Sequence, residues 1–512
     1  MQNPAGTVRT SQSSVAAPPP VPDARTLQMR LSAVGQEHLL AFHEALSPAE
    51  QVALRAQIAS IELSAIPRLV DQFVKSKPKA DLLGAIQPAP YYPLRTDTRA
   101  KPWDRDEYKS RGEALIREGK VAAFTVAGGQ GSRLGYDGPK GCFPGGAVTN
   151  KPLFACLADW ILAAQDRYGR ESGKTIPWYV MTSPGNHQAT VDFFREHSFF
   201  GLAECDVWFF PQGVMPALDI NTGRILLEAP GTVALAPDGH GGSLRALAVS
   251  GAVADMRRRG IEYISYSQID NPLVRVIDPV FLGLHAFAPD SSGEMSSKMV
   301  VKSNPGEKVG VLCRIGDRTG IIEYSDLPDE LARKKGPDGA LAFNAGSIAI
   351  HIISVAFVEK LNGVGNGGAS GAVGSAFSLP FHRAEKKVAC IDHKTGKRLE
   401  PDKPNAVKLE TFVFDAIPLA RSSIVMETDR TEEFAPIKNA AGADSPETCR
   451  AIQTLRAAKW LEAAGVRIPR KPDGTPNCTL ELSPRTAMFS EDLGAPGGTL
   501  PSAIAPGASL SL

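Results

Sequence analysis

The stretch Val121–Phe143, VAAFTVAGGQGSRLGYDGPKGCF, constrains this chain more than any other. Its apolar run Val121–Val126 suits a buried parallel strand. The run breaks at Gly128, Gly129 and Gly131, where a backbone without Cβ atoms can turn sharply and lie close to a ligand. Successive N–H groups in such a turn form a concavity for an anion. Arg133 and Lys140 set two cations in the same loop, the second inside Pro139-Lys140-Gly141. Together these residues suit a polyphosphate. Spacing excludes two commoner glycine motifs. Counted from Gly129, the third glycine of a dinucleotide fingerprint is Leu134, and Lys140 precedes Gly141 rather than the Ser or Thr of a P-loop.

Apolar residues make up 43% of the 512 and charged residues 22%, which describes a soluble globular protein long enough for about three domains. A formal net charge of +1 argues against a nucleic-acid surface, which needs a basic excess. Seven cysteines show no CxxC pair and no metal-ligand spacing; they read as reduced thiols and imply a cytoplasmic protein. The N-terminus lacks the apolar core of a signal peptide. In the apolar stretch 340–358, Asn344, Ser347, His351 and Ser354 interrupt the run, so a buried helix is expected there rather than a membrane span.

Along the chain, residues 1–25 read as a disordered tail and 26–110 as a helical N-terminal domain or arm, with a capping box at Ser47-Pro48-Ala49-Glu50. A central domain is expected over 111–400, a small α+β domain over 401–490, and a flexible Gly/Pro/Ala-rich tail over 491–512. Strands at 121–126, 178–182, 207–210 and 263–269 alternate with helices near 154–168, 188–197 and 243–259. Such alternation predicts an α/β fold with a mostly parallel, Rossmann-like sheet. In open α/β sheets ligands bind at the carboxyl ends of strands, and the glycine loop, Gln212 and Asp270 all fall at such ends. Pro237-Asp238-Gly239-His240-Gly241-Gly242 is a second glycine loop directly before a helix. Asp270 is a candidate ligand for Mg²⁺, which takes one or two carboxylates together with phosphate oxygens.

The motifs AGGQGSRLG, PKG, MTSPGNH, FFPQGVMPALD, PDGHGG, DNPLVRVIDPVFLG, FNAGS, HRAEKKV, KPNAVKLETFVFD and EFAPIKNAAGADSPET occur in that order between Val121 and Leu493. In these the chain resembles the eukaryotic-type UDP-sugar pyrophosphorylases, most closely the UDP-N-acetylhexosamine branch. The resemblance implies a glycosyltransferase-A-like nucleotidyltransferase fold. It also implies the reaction of UTP with a sugar 1-phosphate, giving a UDP-sugar and pyrophosphate with Mg²⁺ as cofactor. By the same resemblance Val126, Ala127, Gly128 and Gly129 wrap the nucleotide, and Gln212 and Gly239 recognise the uracil side. Arg133, Lys140 and Lys438 act on the phosphates, while Asp270 and Lys408 reach the nucleotide. His240, Gly310, Glu323, Tyr324 and Ser347 line the sugar pocket.

Two positions depart from that branch. His240 stands where Asn is usual, and Ser347 replaces the last Asn of FNAGN. N-acetylglucosamine 1-phosphate is the expected sugar substrate. A UDP-glucose or UDP-galactose pyrophosphorylase on the same fold is the alternative, and a catalytically silent nucleotide-sugar sensor is another.

Overall fold

The computed structural model describes residues 21–76, 86–96, 101–363, 379–494 and 500–512. The expected disordered tail therefore lies, up to residue 20, outside the described residues. The chain forms two compact units: Met1–Pro78 with Val214–Ala236 and Arg383–Lys408, and Lys79–Gly213 with Pro237–His382 and Leu409–Leu512.

The first unit combines helices Ala24–Ser32 and Pro48–Ala59 with short strands from the two later segments. The capping box forms as the sequence indicates, Ser47 accepting from Glu50 N–H while Glu50 reaches back to the Ser47 backbone. Leu54 and Ile58 are fully buried. Gln36 gives this unit a shape that local sequence does not suggest. Its amide accepts from Ile225 N–H at 2.8 Å and donates to Gly223 O at 3.3 Å, tying helix to hairpin across nearly two hundred residues.

A ten-stranded sheet organises the second unit. Its strands are Ile86–Pro88 (β1), Val121–Val126 (β2), Trp178–Thr182 (β3), Val207–Pro211 (β4), Tyr263–Gln268 (β5), Met295–Val301 (β6), Val311–Ile315 (β7), Arg318–Ile322 (β8), Ala345–Ser354 (β9) and Val425–Glu427 (β10). The order is β1-β7-β9-β5-β2-β3-β4, with β8 beside β7 and β6 between β9 and β10. The sheet is mixed, which corrects the expectation of a mostly parallel one. β5-β2-β3-β4 are parallel, whereas β9 runs antiparallel to β5, β6 and β7. The parallel part is the part whose strands alternate with helices in sequence. After residue 294 only β7 and β8 are joined by a short connection, a hairpin, and such connections make antiparallel neighbours.

Three further expectations change. The apolar stretch 340–358 forms β9 and the start of helix Val355–Leu361, capped by Ser354, rather than one buried helix. The helix expected over 243–259 is two, Gly242–Val249 and Ala252–Arg259, broken at Gly251, whose φ of 81° suits glycine. In the tail expected to be flexible, Ser509–Ser511 pairs in parallel with Thr479–Glu481.

Where β6 meets β9 the ladder is irregular. Ser297 faces His351 and Met299 faces Ser347, so residues 348–350 of β9 stand against Lys298 alone. Ala349 adopts a left-handed φ of 55° within this bulge. Lys298 itself points into the core, fully buried. Its Nζ donates to Asp278 at 2.5 Å and to both Glu433 oxygens at 2.6 and 2.7 Å. Asp278 also caps helix Pro279–Phe287 by accepting from Val280 N–H. Burial opposes the charge on Asp278, but Lys298 and Arg275 outweigh it and hold the carboxyl down to about 2.

A candidate active site at the ends of the parallel strands

Because β5, β2, β3 and β4 are parallel, their carboxyl ends share one edge. Val126 ends β2, Gln212 follows β4, and Asp270 lies two residues beyond β5. The glycine loop leaves β2 pinned to β3, since Ala127 N–H donates to Met181 O at 2.7 Å. Asn186, buried after β3, clamps the loop. Its Nδ2 donates to Ala127 O and Gly129 O at 3.1 and 3.3 Å, and its Oδ1 accepts from Ser183 N–H. The Pro-Lys-Gly triplet then folds back, Lys140 N–H donating to Gly129 O at 3.0 Å.

This return brings Lys140 to Asp270. Nζ is 3.6 Å from Oδ2, and the two side chains are 16% and 13% exposed. Ile437 N–H donates to Asp270 O at 2.8 Å, which docks the Pro436-Ile437-Lys438 segment on the end of β5. Asn271 holds that segment from the other side, donating to Glu433 O at 2.6 Å and accepting from Ala435 N–H at 3.1 Å. Asp270, Lys438, Ser347, Ala349 and Ser267 line one cleft. Lys438 is half-exposed, with Asp444 at 3.7 Å. Arg133, by contrast, is exposed and has no ion-pair partner among the described residues.

The residues expected to hold the base pack around glycine. Gln212 lies against Gly128, whose added Cβ would come 3.1 Å from the Gln212 amide. Gly239 has φ +84°, and a Cβ on it would meet Thr411 O at 2.3 Å, so this position needs glycine twice over. Asp238 O accepts from Thr411 N–H at 2.8 Å. Burial pushes the Asp238 carboxyl up to about 6, and its Oδ1 is buried with no partner among the described residues.

Among the residues expected to line a sugar pocket, Ser347 N–H donates to Gly310 O at 2.8 Å, and a Cβ on Gly310 would lie 3.6 Å from Glu323 Oε1. Burial and neighbouring Asp326 raise the Glu323 carboxyl, which has no hydrogen-bond partner among the described residues. Val413 N–H donates to His240 Nδ1 at 3.1 Å, and the ring stacks on Phe412 with centroids 5.2 Å apart. Burial, helped by His382, lowers the imidazole to about 4. Tyr324 is 48% exposed and, among the described residues, has no hydrogen bond or ring contact to these groups. Lys408 belongs to the first unit, on the strand Ala406–Glu410 whose Ala406 and Val407 pair with Asp219 and Leu218.

Sequence reasoning did not single out Asn186, Asp238, Phe412, His382 or Asp415. Each lies inside or beside a motif already recognised, but a linear motif does not say which member turns inward.

Among the described residues no helix is long and apolar enough to cross a membrane. All seven cysteines are free. The sequence profile of the UTP–glucose-1-phosphate uridylyltransferase family matches residues 77–366. The chain is 36% identical over 490 residues to the human UDP-N-acetylhexosamine pyrophosphorylase-like protein 1, covering 91% of this chain and 93% of that protein. It is 33% identical to the UDP-N-acetylglucosamine pyrophosphorylase of Saccharomyces cerevisiae, covering 90% and 94%. Its structure is similar to that of the uridine diphosphate N-acetylglucosamine pyrophosphorylase from Trypanosoma brucei in complex with inhibitor. The TM-score there is 0.75 at 27% identity, covering 92% of this chain and 94% of the other. The chain belongs to the UTP–glucose-1-phosphate uridylyltransferase family.

Proposed function

We propose that the protein is a uridylyltransferase that converts UTP and N-acetylglucosamine 1-phosphate to UDP-N-acetylglucosamine and pyrophosphate. The observation that carries this reading is Asp270, which lines a cleft together with Lys438 and has the Lys140 ammonium 3.6 Å from its carboxylate. A phosphate oxygen of the sugar phosphate attacks the α-phosphorus of UTP in line, and the bond to the β-phosphate oxygen breaks on the opposite side. Pyrophosphate leaves with the electron pair. No covalent enzyme intermediate forms, so the residues work by positioning and by stabilising charge as it develops. Lys140 and Lys438 offer that charge around Asp270. Arg133, exposed on the loop, has its donors free for the outer phosphates. Gln212, Gly239 and the glycine loop hold the base.

The residues fit a magnesium ion that arrives with the nucleotide. The Asp270 carboxylate accepts no hydrogen bond from the described residues, and no group of three or more His, Cys, Asp or Glu among them could hold a metal alone. One open carboxylate plus phosphate oxygens is the ordinary mode for Mg²⁺. Bound there, the ion would neutralise phosphate charge. Asp270→Asn should raise the Mg²⁺ needed for half-maximal rate several-fold and leave uridine binding nearly unchanged. A magnesium titration superimposable on wild type would remove the ligand role.

The acetylated sugar is preferred because relatives named for N-acetylhexosamine or N-acetylglucosamine match over nine-tenths of this chain. The family profile carries the name of glucose 1-phosphate, which makes that sugar the second reading. Pyrophosphate release from UTP with a panel of sugar 1-phosphates tests both. A wild-type preference for glucose 1-phosphate would overturn the first.

A further inference from the structure

His382 is assigned no role above, yet it lies within electrostatic reach of two of the expected sugar-pocket residues, His240 and Glu323. Its Nε2 bonds Asp415 Oδ2 at 2.7 Å, and its ring lies on Phe412 with centroids 4.4 Å apart. Phe412 in turn stacks on His240. The hydrogen bond fixes one edge of the imidazole and the stack fixes its plane. The other nitrogen, Nδ1, has no partner among the described residues, and the side chain is 41% exposed. Glu323 is within electrostatic reach of His382, as is His240. Its unpartnered carboxylate is an acceptor. A hexose hydroxyl both donates and accepts, so one hydroxyl can satisfy a donor and an acceptor placed side by side.

We propose that His382 is a specificity-determining residue for the sugar 1-phosphate: anchored through Nε2 to Asp415, it donates its Nδ1–H to a hexose hydroxyl beside Glu323. The proposal rests on the uridylyltransferase reading above. The titratable groups facing His382 are Asp415 on the turn Val413–Leu419, Glu323 and Asp326 after β8, and His240 on the second glycine loop. The Asp415 hydrogen bond, set against burial, raises the imidazole above its ordinary value. The donor is therefore present at low pH and is lost as pH rises through that raised value. Asp415 then retains the proton on Nε2, and Nδ1 becomes an acceptor.

The experiment is steady-state kinetics of wild type, His382→Gln and Asp415→Asn with UTP and N-acetylglucosamine 1-phosphate from pH 5.5 to 9. A hydrogen bond from a charged donor corresponds to about ten- to a hundredfold in binding. KM for the sugar phosphate should rise by that factor in His382→Gln, with kcat and KM for UTP nearly unchanged. In wild type this KM should climb with pH; in His382→Gln the climb should vanish, and in Asp415→Asn it should begin at lower pH. The second ionisation of the sugar phosphate affects all three proteins alike and drops out of the comparison. Unchanged KM with superimposable pH profiles in folded His382→Gln would overturn the proposal. Should that variant not fold, Asp415→Asn, which keeps the ring, carries the same test through its shifted profile. A wild type that turns over no sugar 1-phosphate would overturn the uridylyltransferase reading itself, an outcome distinct from active enzyme with an indifferent His382.

Discussion

Lys298 and Lys140 each face an aspartate, one in the core of the second unit and one in its cleft. Lys298 is fully buried, and its ammonium spends its three donors on Asp278 and the two oxygens of Glu433, all within 2.7 Å. Lys140 keeps 16% exposure, lies 3.6 Å from Asp270 and makes no hydrogen bond to it. Both are lysine–carboxylate pairs, but only the second has unused valence. A saturated buried pair can do nothing further, and breaking it strands a charge. A loose pair at a cleft wall costs little to separate, and both partners can turn to an incoming phosphate or metal. What sets the second pair apart is the hydrogen bonds it has not made.

The largest expected effect lies on the structural side. Lys298→Met leaves Asp278 and Glu433 buried without their cation and should cost about 3–5 kcal/mol of stability. Denaturant melts would show this as a fall in midpoint, or as failure to fold; a midpoint near wild type would erase the contrast between the two lysines. Lys140→Ala should do the opposite, melting like wild type while turnover falls about 10²–10³-fold, or about 3–4 kcal/mol at the transition state. Turnover within about threefold of wild type would reduce Lys140 to a surface charge.

Acid sharpens the same contrast. Asp278 has a folded value of about 2, below its ordinary 3.8. Its contribution is fully present above the higher value and is lost as pH falls through the lower one. Thermal melts between pH 4 and 2 should therefore lose about 2 kcal/mol in wild type, beyond any loss in Asp278→Asn. The smallest effect concerns a neutral group. His240→Asn should change the ratio of kcat/KM between N-acetylglucosamine 1-phosphate and glucose 1-phosphate by about tenfold, one buried hydrogen bond's worth. Competition kinetics with both sugars measures it, and an unchanged ratio means that His240 does not read the sugar.

How much of this was legible beforehand depended on whether a partner lay nearby in sequence. β2 and β3 carry continuous apolar runs bounded by Gly, Pro or Ser, and the structure places them where those runs lie. Lys140 and Asp270 could be named because each follows a strand. β9 was misread for a physical reason: Asn344, Ser347, His351 and Ser354 are spaced three, four and three apart, a helical rhythm. His382 and Asp415, 33 residues apart, meet only in the folded chain. Gln36 reaches residues nearly two hundred positions away, and no periodicity encodes such a tie.

The bulge also has an arithmetic. Between its two flanking pairs β6 advances two residues while β9 advances four, so the excess is even. Sidedness in a strand is a matter of odd and even, and an even excess leaves it intact: Ser347 and His351 keep the facing that an unbroken ladder would assign. The segment can thus swell into the cleft without exchanging inside for outside on either flank. Removing one residue from 348–350 would invert that parity and drive one flank's polar side chains toward the core, whereas removing two would merely flatten the wall. Deleting one residue from 348–350 should therefore cost more stability than deleting two.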